Sequence, residues 1–231
     1  MLARLPAAAQ PPRHLRPVAP LAPRVLLPGD PARALALAQV VLGDDRRMFN
    51  HHRGLWGYTG TAADGAPLTI QSTGIGGPSA AVVLDELAAL GVTTALRVGT
   101  ATALDGDLGL GDLVCAATAH GADGVSRTRA AVQPAALDAP LTRHLAAAGA
   151  RAGAVVSTDL PSDPVPEEAA GALARDLSTA ALAAIAEALD VRFAAVLAVV
   201  DDARGAGLDD DAVAEAGEAA GRLAAAALAA G

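Results

Sequence analysis

The chain contains no lysine: all 17 of its basic residues are arginine. That excludes Schiff-base chemistry and a P-loop lysine. Any recognition of phosphate or carboxylate falls to arginine, whose planar fork binds such anions in a two-pronged way. Aromatic residues are nearly as scarce, at 2% of 231 residues, and much of the 52% apolar content is alanine, which is ample for a buried core. A single cysteine, Cys115, cannot form an internal disulfide and leaves no zinc-binding spacing. It sits in the apolar run 113–117 and reads as a core residue, with a reducing cytoplasm as the expected setting. Positive charge is also in deficit. A net charge of −8 and a pI near 5.0 argue against nucleic acid, though not against a small anion held in a local basic pocket. No apolar run approaches a membrane span. The first two dozen residues, rich in proline and alanine with Arg4, Arg13 and Arg16, lack the continuous apolar segment of a secretory signal. The expectation is an N-terminal arm over 1–23, flexible or extended, followed by one α/β domain over 24–231.

The most informative run present is Ser72-Thr73-Gly74-Ile75-Gly76-Gly77-Pro78-Ser79. Leu68 and Ile70 lead into it, and a helical apolar pattern (Ala80, Val83, Leu84, Leu87, Leu90) follows. Strand, glycine turn, helix is the reading. Glycines let backbone approach a ligand, and the free N–H groups of a helix start favour anions. The spacing is not G-x-G-x-x-G.

Short apolar runs alternate with helical patterns along the rest of the chain. Strands are expected at 24–27, 68–71, 94–98, 112–117, 152–156 and 193–200, and helices at 31–42, 78–90, 134–148, 167–189 and 209–229. Such βαβ alternation predicts a single-domain three-layer α/β/α fold with a mixed, largely parallel central sheet. The short Pro/Asp/Glu-rich loop 161–168 marks no domain boundary. In sheets of this kind ligands sit beyond the carboxyl ends of strands. Those ends here carry Gly29-Asp30, Thr73-Gly74, Gly99-Thr100, Ser157-Thr158-Asp159 and Asp201-Asp202.

Three arginines stand out by position. Arg97 lies inside an otherwise apolar strand and needs either an anion or a carboxylate, because charged groups are seldom buried unpaired. Arg33 falls in the first turns of the helix after Pro28-Gly29-Asp30-Pro31, where a solvated helix face is the alternative. Arg53 sits in Asn50-His51-His52-Arg53-Gly54, where it could equally be an ordinary loop arginine.

Taken in order, Pro28-Gly29-Asp30-Pro31-Ala32-Arg33, Arg53-Gly54 with Gly57-Tyr58-Thr59-Gly60, Ser72 to Ser79, and Leu96-Arg97-Val98-Gly99-Thr100 resemble the nucleoside phosphorylase family that includes uridine phosphorylase and hexameric purine nucleoside phosphorylase. The resemblance runs continuously over about 24–123. It implies phosphate as co-substrate, held by Gly29, Arg33, Arg97 and Thr100, with Arg53 contributed by a neighbouring subunit. It implies no metal and no organic cofactor. It also implies a homodimer or a hexamer of dimers, in which His14 of the arm reaches a neighbour's ribose site. His51 and His52 match no family role; His120 and His144 read as surface or helix residues.

The carboxyl half departs from the pattern. Where the family has Glu-Met-Glu to hold the ribose, the matching positions are Asp176-Leu177-Ser178, so the glutamate that binds the sugar hydroxyls is a serine. Where an aromatic residue should stack on the base, there is Pro161. The Gln-x-Arg of uridine phosphorylases has no counterpart between Pro161 and Arg175, and Thr102 replaces a glycine near the sugar. Asp201 takes the position of the general acid of the purine enzymes, with Asp202 the adjacent alternative. The expected function is phosphate-dependent cleavage of a nucleoside to free base and (deoxy)ribose 1-phosphate, purines slightly ahead of uridine. A nucleosidase using water, and a member that binds phosphate or a phosphorylated ligand without turnover, are the alternatives. Retention of Arg33, Arg53 and Arg97 argues against the first.

Overall fold

The computed structural model describes residues 12–202 and 204–231. In chain order the elements are β1 (Arg24–Pro28), α1 (Pro31–Val41), β2 (Arg47–Asn50), β3 (Gly57–Thr61), β4 (Pro67–Gln71), α2 (Gly76–Ala89), β5 (Thr94–Ala103), β6 (Leu113–Gly121), α3 (Gly124–Arg129), β7 (Ala135–Ala136), α4 (Ala139–Ala147), β8 (Arg151–Ser157), β9 (Ala174–Asp176), α5 (Thr179–Leu189), β10 (Arg192–Asp201) and α6 (Asp210–Ala230).

One sheet holds the strands in the order β10-β6-β8-β9-β5-β1-β4-β3-β2, with β7 on β6 and a further pairing of β10 with β5. Five strands therefore close into a ring, and β1, β4, β3 and β2 extend from it as an open wing. β1 runs parallel to both β5 and β4, and β10 runs parallel to β5. β9 and β6 enter the ring antiparallel to β5 and β10 respectively. Alternate residues of each strand serve opposite faces. Val25 and Leu27 of β1 and Ala95 of β5 join α2 and α5 in one apolar cluster. Leu26, Leu96 and Val98 join α1, α4 and α6 in the other. Two helical layers around one sheet give the three-layer α/β/α architecture.

Local chemistry sets the helix starts. Asp30 accepts the Arg33 N–H at 2.7 Å, and Pro31 occupies the first turn of α1, where its missing N–H is harmless. Asp209 caps α6 in the same way, with Asp210 and Asp211 favourably placed against the helix dipole.

The structure departs from the sequence reading in four places. The alanine-rich stretch 167–189 is not one helix but a 3-10 turn at Glu167–Ala169, then β9, then α5. Gly171, at φ +87°, breaks the run, and pairing with β8 and β5 outweighs the helix propensity of alanine. The stretch 134–148 opens with β7, and α4 begins only after Asp138 accepts the Leu141 N–H. β5 continues past Gly99 and Thr100 to Ala103, because its far half is gripped by β9 and β10. The hairpin β2–β3 is additional.

Residues 12–23 run across the body without helix or strand. Glu86 of α2 accepts the backbone N–H groups of Arg13, His14 and Leu15, and its carboxylate lies 2.7 Å from His14 Nδ1. Leu15 is fully buried, and the amides of Val18 and Ala22 reach the Phe49 carbonyl and the Thr69 hydroxyl. Residues 1–11 of the expected arm lie outside the described residues. No helix of the described residues is long and apolar enough to cross a membrane.

Candidate functional site

The carboxyl ends of β1, β5 and β10, the turn before α2 and the junction of β9 with α5 enclose a cleft of about 400 Å³. Of the residues singled out from sequence, Gly29, Arg33, Arg97, Thr100, Asp176, Leu177, Ser178 and Asp201 all line it.

One end of the cleft is cationic. The turn that forms its rim places Gly74 at φ +74° and Gly76 at φ +77°, conformations that favour glycine. The Gly74 N–H donates to the Gly29 carbonyl at 2.9 Å, which ties the rim to the end of β1. Beneath it lies Arg97, only 6% exposed. Its Nε donates to Asp176 Oδ2 at 3.0 Å. Asp176 is itself saturated, because it also accepts the Ser157 hydroxyl and both the N–H and the hydroxyl of Thr179. Asp176 thus joins β9, β8, α5 and Arg97, a positioning role rather than an open acceptor. Of the two alternatives posed by Arg97, the structure shows the carboxylate. Nε has its carboxylate, while Nη1 is buried with no partner among the described residues. A buried donor left unmade costs about 1–3 kcal/mol.

Arg33 stands beside it. Burial, then the neighbouring Arg97 charge, lower its pKa, and Asp30 partly offsets them. It makes no hydrogen bond or ion pair through its side chain among the described residues. Two glycines make room for this pair. A Cβ on Gly99 would sit 2.9 Å from the Nε and Nη2 of Arg97, and a Cβ on Gly217 of α6 would sit 3.0 Å from the Nε of Arg33. Two like charges with unused donors, held side by side in the wall of a cleft, are chemically suited to a small anion, which would supply the missing acceptor and cancel the repulsion.

The other end is sparser. Ser178 is 2% exposed and its hydroxyl caps nothing at the start of α5. Pro161 and Thr102 line the wall beside Arg175 and Leu177. The two adjacent acids at the end of β10 divide their work. Asp202 accepts the N–H groups of Arg204 and Ala206 and holds the turn, whereas Asp201 lines the cleft. Arg175 was missed from sequence; no local signal marks it, since its place depends on the pairing of β9.

His14 and Arg53 do not line this cleft. Arg53 is exposed in the 3-10 turn His52–Gly54, at φ 60°. Desolvation, then the charges of Arg16, Arg53, His51 and His14, lower the pKa of His52. Cys115 is buried, and burial pushes its thiol up to about 11. Among the described residues no group of three His, Cys, Asp or Glu could hold a metal ion.

The family model of the phosphorylase superfamily matches residues 23–230. The chain belongs to that superfamily. It is 40% identical over 122 residues to a uridine phosphorylase of Thermococcus kodakarensis, a stretch covering 52% of this chain and 43% of that protein. It is 39% identical over 110 residues to a DeoD-type purine nucleoside phosphorylase of an Exiguobacterium species, covering 47% and 46%. It is 41% identical over 108 residues to a guanosine phosphorylase of Halorubrum lacusprofundi, covering 47% and 44%. In each alignment the chain spans less than half the length of the relative. The phosphorylase-superfamily fold is matched more completely by the crystal structure of a uridine phosphorylase from Vibrio fischeri, with a TM-score of 0.80 over 90% of this chain and 91% of that one, at 24% identity.

Proposed function

We propose that this phosphorylase-superfamily chain is a nucleoside phosphorylase. The buried Nη1 of Arg97, set in a cleft wall beside Arg33 and like the Arg33 guanidinium without a hydrogen-bond partner among the described residues, carries the reading. Gly29, Arg33, Arg97 and Thr100 hold phosphate and aim one oxygen at C1′ of the sugar. That oxygen bonds to C1′ as the C1′–N bond breaks, and sugar 1-phosphate and free base result. Fixed cations positioned before the reaction supply much of the rate, because the dianion need not be reorganised in the transition state. Phosphate is the co-substrate, and the scheme uses no metal or organic cofactor. Leu177 and Ser178 face the sugar. Asp201 is the side chain placed to deliver a proton to purine N7. That residue, together with the missing Gln-x-Arg, favours purines over uridine.

Arg53 and His14 belong in this scheme to a neighbour's cleft, in a homodimer or a hexamer of dimers. The exposure of Arg53, and the absence of both residues from the lining of the cleft, support that reading. Mixing an Arg53→Ala protein with an Arg97→Ala protein tests it: subunit exchange restores activity in a fraction of sites, whereas a cleft complete in one protomer shows no rescue.

The deciding assay measures base release from inosine, adenosine, uridine and thymidine with and without phosphate. Release that requires phosphate is expected. Release without it identifies a nucleosidase. No release from any nucleoside, with phosphate still bound, identifies a binding protein without turnover.

A further inference from the structure

The loop between β2 and β3 holds a conformation that its own residues do not favour. Arg53 sits at φ 60°, in the left-handed region that non-glycine residues seldom occupy, and Gly54 follows at φ 71°. Such backbone persists only where its surroundings dictate it. Two buried side-chain amides lie beneath the loop, Asn50 at the end of β2 and Gln71 at the end of β4, both fully buried. They belong to one row across the wing, because Asn50 pairs in register with Gly57 of β3, and Gly57 pairs with Gln71. Gly57 leaves open the space between them, since a Cβ there would collide with the Gln71 side chain.

Both amides converge on one atom. The Leu55 carbonyl accepts from Asn50 Nδ2 at 2.5 Å and from Gln71 Nε2 at 3.0 Å, which uses both of its lone pairs. Gln71 Nε2 also donates to the Ser72 carbonyl at 2.8 Å, at the start of the glycine turn that rims the cleft. Asn50 works in a second direction. Its Oδ1 accepts the Arg16 N–H at 2.8 Å, and so grips the arm two residues after His14. The same oxygen lies 3.4 Å from the His52 N–H. Asn50 therefore stands where the arm crosses the loop: its oxygen holds the arm, and its nitrogen holds the turn that carries Arg53.

We infer that Asn50 is a positioning residue that sets Arg53 and His14 as one unit, so that the turn and the arm enter a neighbour's cleft together. This rests on the reading above, in which both residues serve a neighbouring subunit. Arg53 and His14 lie in segments without sheet pairing, and each would otherwise have to be ordered separately when the neighbour docks. A single buried bracket orders both when the chain folds, which lowers the entropy lost on docking. The bracket needs the chemistry of an amide. Asparagine offers an acceptor and donors on one planar group, whereas an ionised aspartate of the same shape only accepts. Aspartate at this position would keep the grip on the Arg16 N–H and lose the one on the Leu55 carbonyl.

The test compares full-length Asn50→Ala, Arg53→Ala and the double variant on whichever nucleoside the wild-type protein cleaves. Asn50→Ala is expected to raise the KM for phosphate roughly tenfold, the scale of one loosened contact to a charged group. The double variant should be no worse than Arg53→Ala alone, because the loss runs through Arg53. Penalties that multiply in the double variant, or an Asn50→Ala protein with an unchanged KM beside an impaired Arg53→Ala, overturn the inference and leave the phosphorylase reading standing. Hydrogen exchange supplies a second readout that needs no turnover. The Arg16 and Leu55 amides should both speed up in Asn50→Ala by at least about tenfold, with the amides of β1 and β5 unchanged. In Asn50→Asp the Leu55 amide alone should speed up, and the KM for phosphate should rise as in Asn50→Ala; this variant carries both measurements should Asn50→Ala fail to fold. If Arg53→Ala leaves the KM for phosphate unchanged, or no nucleoside is cleaved, the neighbouring-subunit or phosphorylase reading falls by itself and exchange alone decides the role of Asn50. A Leu55 amide that keeps its wild-type rate in both Asn50 variants overturns that role.

Discussion

The two ends of the cleft are built by opposite strategies. At the cationic end the backbone of Arg33 and the side chain of Arg97 are held before any ligand arrives. Asp30 pins the backbone of Arg33, Asp176 pins Arg97, and Gly99 and Gly217 supply the space in which the two guanidiniums lie. At the other end the wall is made of short or weakly tied groups: Ser178 with an uncommitted hydroxyl, Pro161, Thr102, and an arginine held by one backbone carbonyl. In the proposed reaction, an end that holds the same small dianion in every turnover would gain from rigidity, and an end that accepts and then releases a leaving base would be served by fewer fixed contacts. The comparison implies that substitutions at the first end change whether the protein works, and those at the second change what it works on.

The sharpest way to break that contrast is Arg97→Ala. It removes the proposed anion anchor and strands Asp176 as a buried charge. Activity should drop by about 10²–10³-fold, and stability by about 3–5 kcal/mol in chemical denaturation. A fully active Arg97→Ala protein would sink the phosphate site. Arg33→Ala separates the two effects, since its guanidinium has no carboxylate partner to strand. Phosphate at a hundred times its Kd should stabilise the wild-type protein by about 2.7 kcal/mol, read as a rise in Tm, and most of that rise should vanish in Arg33→Ala while the ligand-free Tm holds.

Gly217→Ala sharpens the contrast further, because stability and function should move in opposite directions. Helix α6 gains up to about 1 kcal/mol in propensity, yet the new Cβ pushes the Arg33 side chain aside. The KM for phosphate is expected to rise about tenfold, at unchanged or higher Tm. At the other end, Ser178→Ala should change the KM for the nucleoside by no more than about threefold, the scale of one neutral hydrogen bond. A hundredfold loss there would erase the distinction between the two ends. The smallest effect concerns the arm. Burial raises the pKa of Glu86, but hydrogen bonds from Leu15, His14 and Arg13 outweigh it and the net shift is downward. The sign follows: docking of 13–15 is fully present above the ordinary carboxylate pKa and is lost as pH falls through the lowered folded value. Hydrogen exchange at the Arg13, His14 and Leu15 amides should speed up in that window before the core responds.

Much of this was legible in the sequence, for reasons that also explain what was not. β1, β4, β5 and β10 announce themselves as apolar runs, and the cationic end is written in local signals: a cap before α1, a glycine turn, an arginine inside a strand. Each of those can be read within a few residues. The misread segment 167–189 shows the limit, because alanine favours helix throughout and only pairing with β8 and β5 turns 174–176 into strand. The same pairing hid Arg175, whose position in the cleft exists only once β9 is in register. It hid the role of Asp176 as well, whose arginine partner is 79 residues away along the chain. Gly217 lies 184 positions from the arginine it accommodates, a relation that no pattern within α6 reveals.

The Arg97–Asp176 pair has a mechanical consequence. It ties β5 to the neighbouring strand β9, which leads into α5, with both side chains almost wholly buried in the cleft wall. Widening the slot at that point would pull apart a buried ion pair and unseat the first turn of α5 with it. The aperture is therefore preset, like a gauge block rather than a jaw, and its width belongs to the folded sheet whether or not anything lies in it.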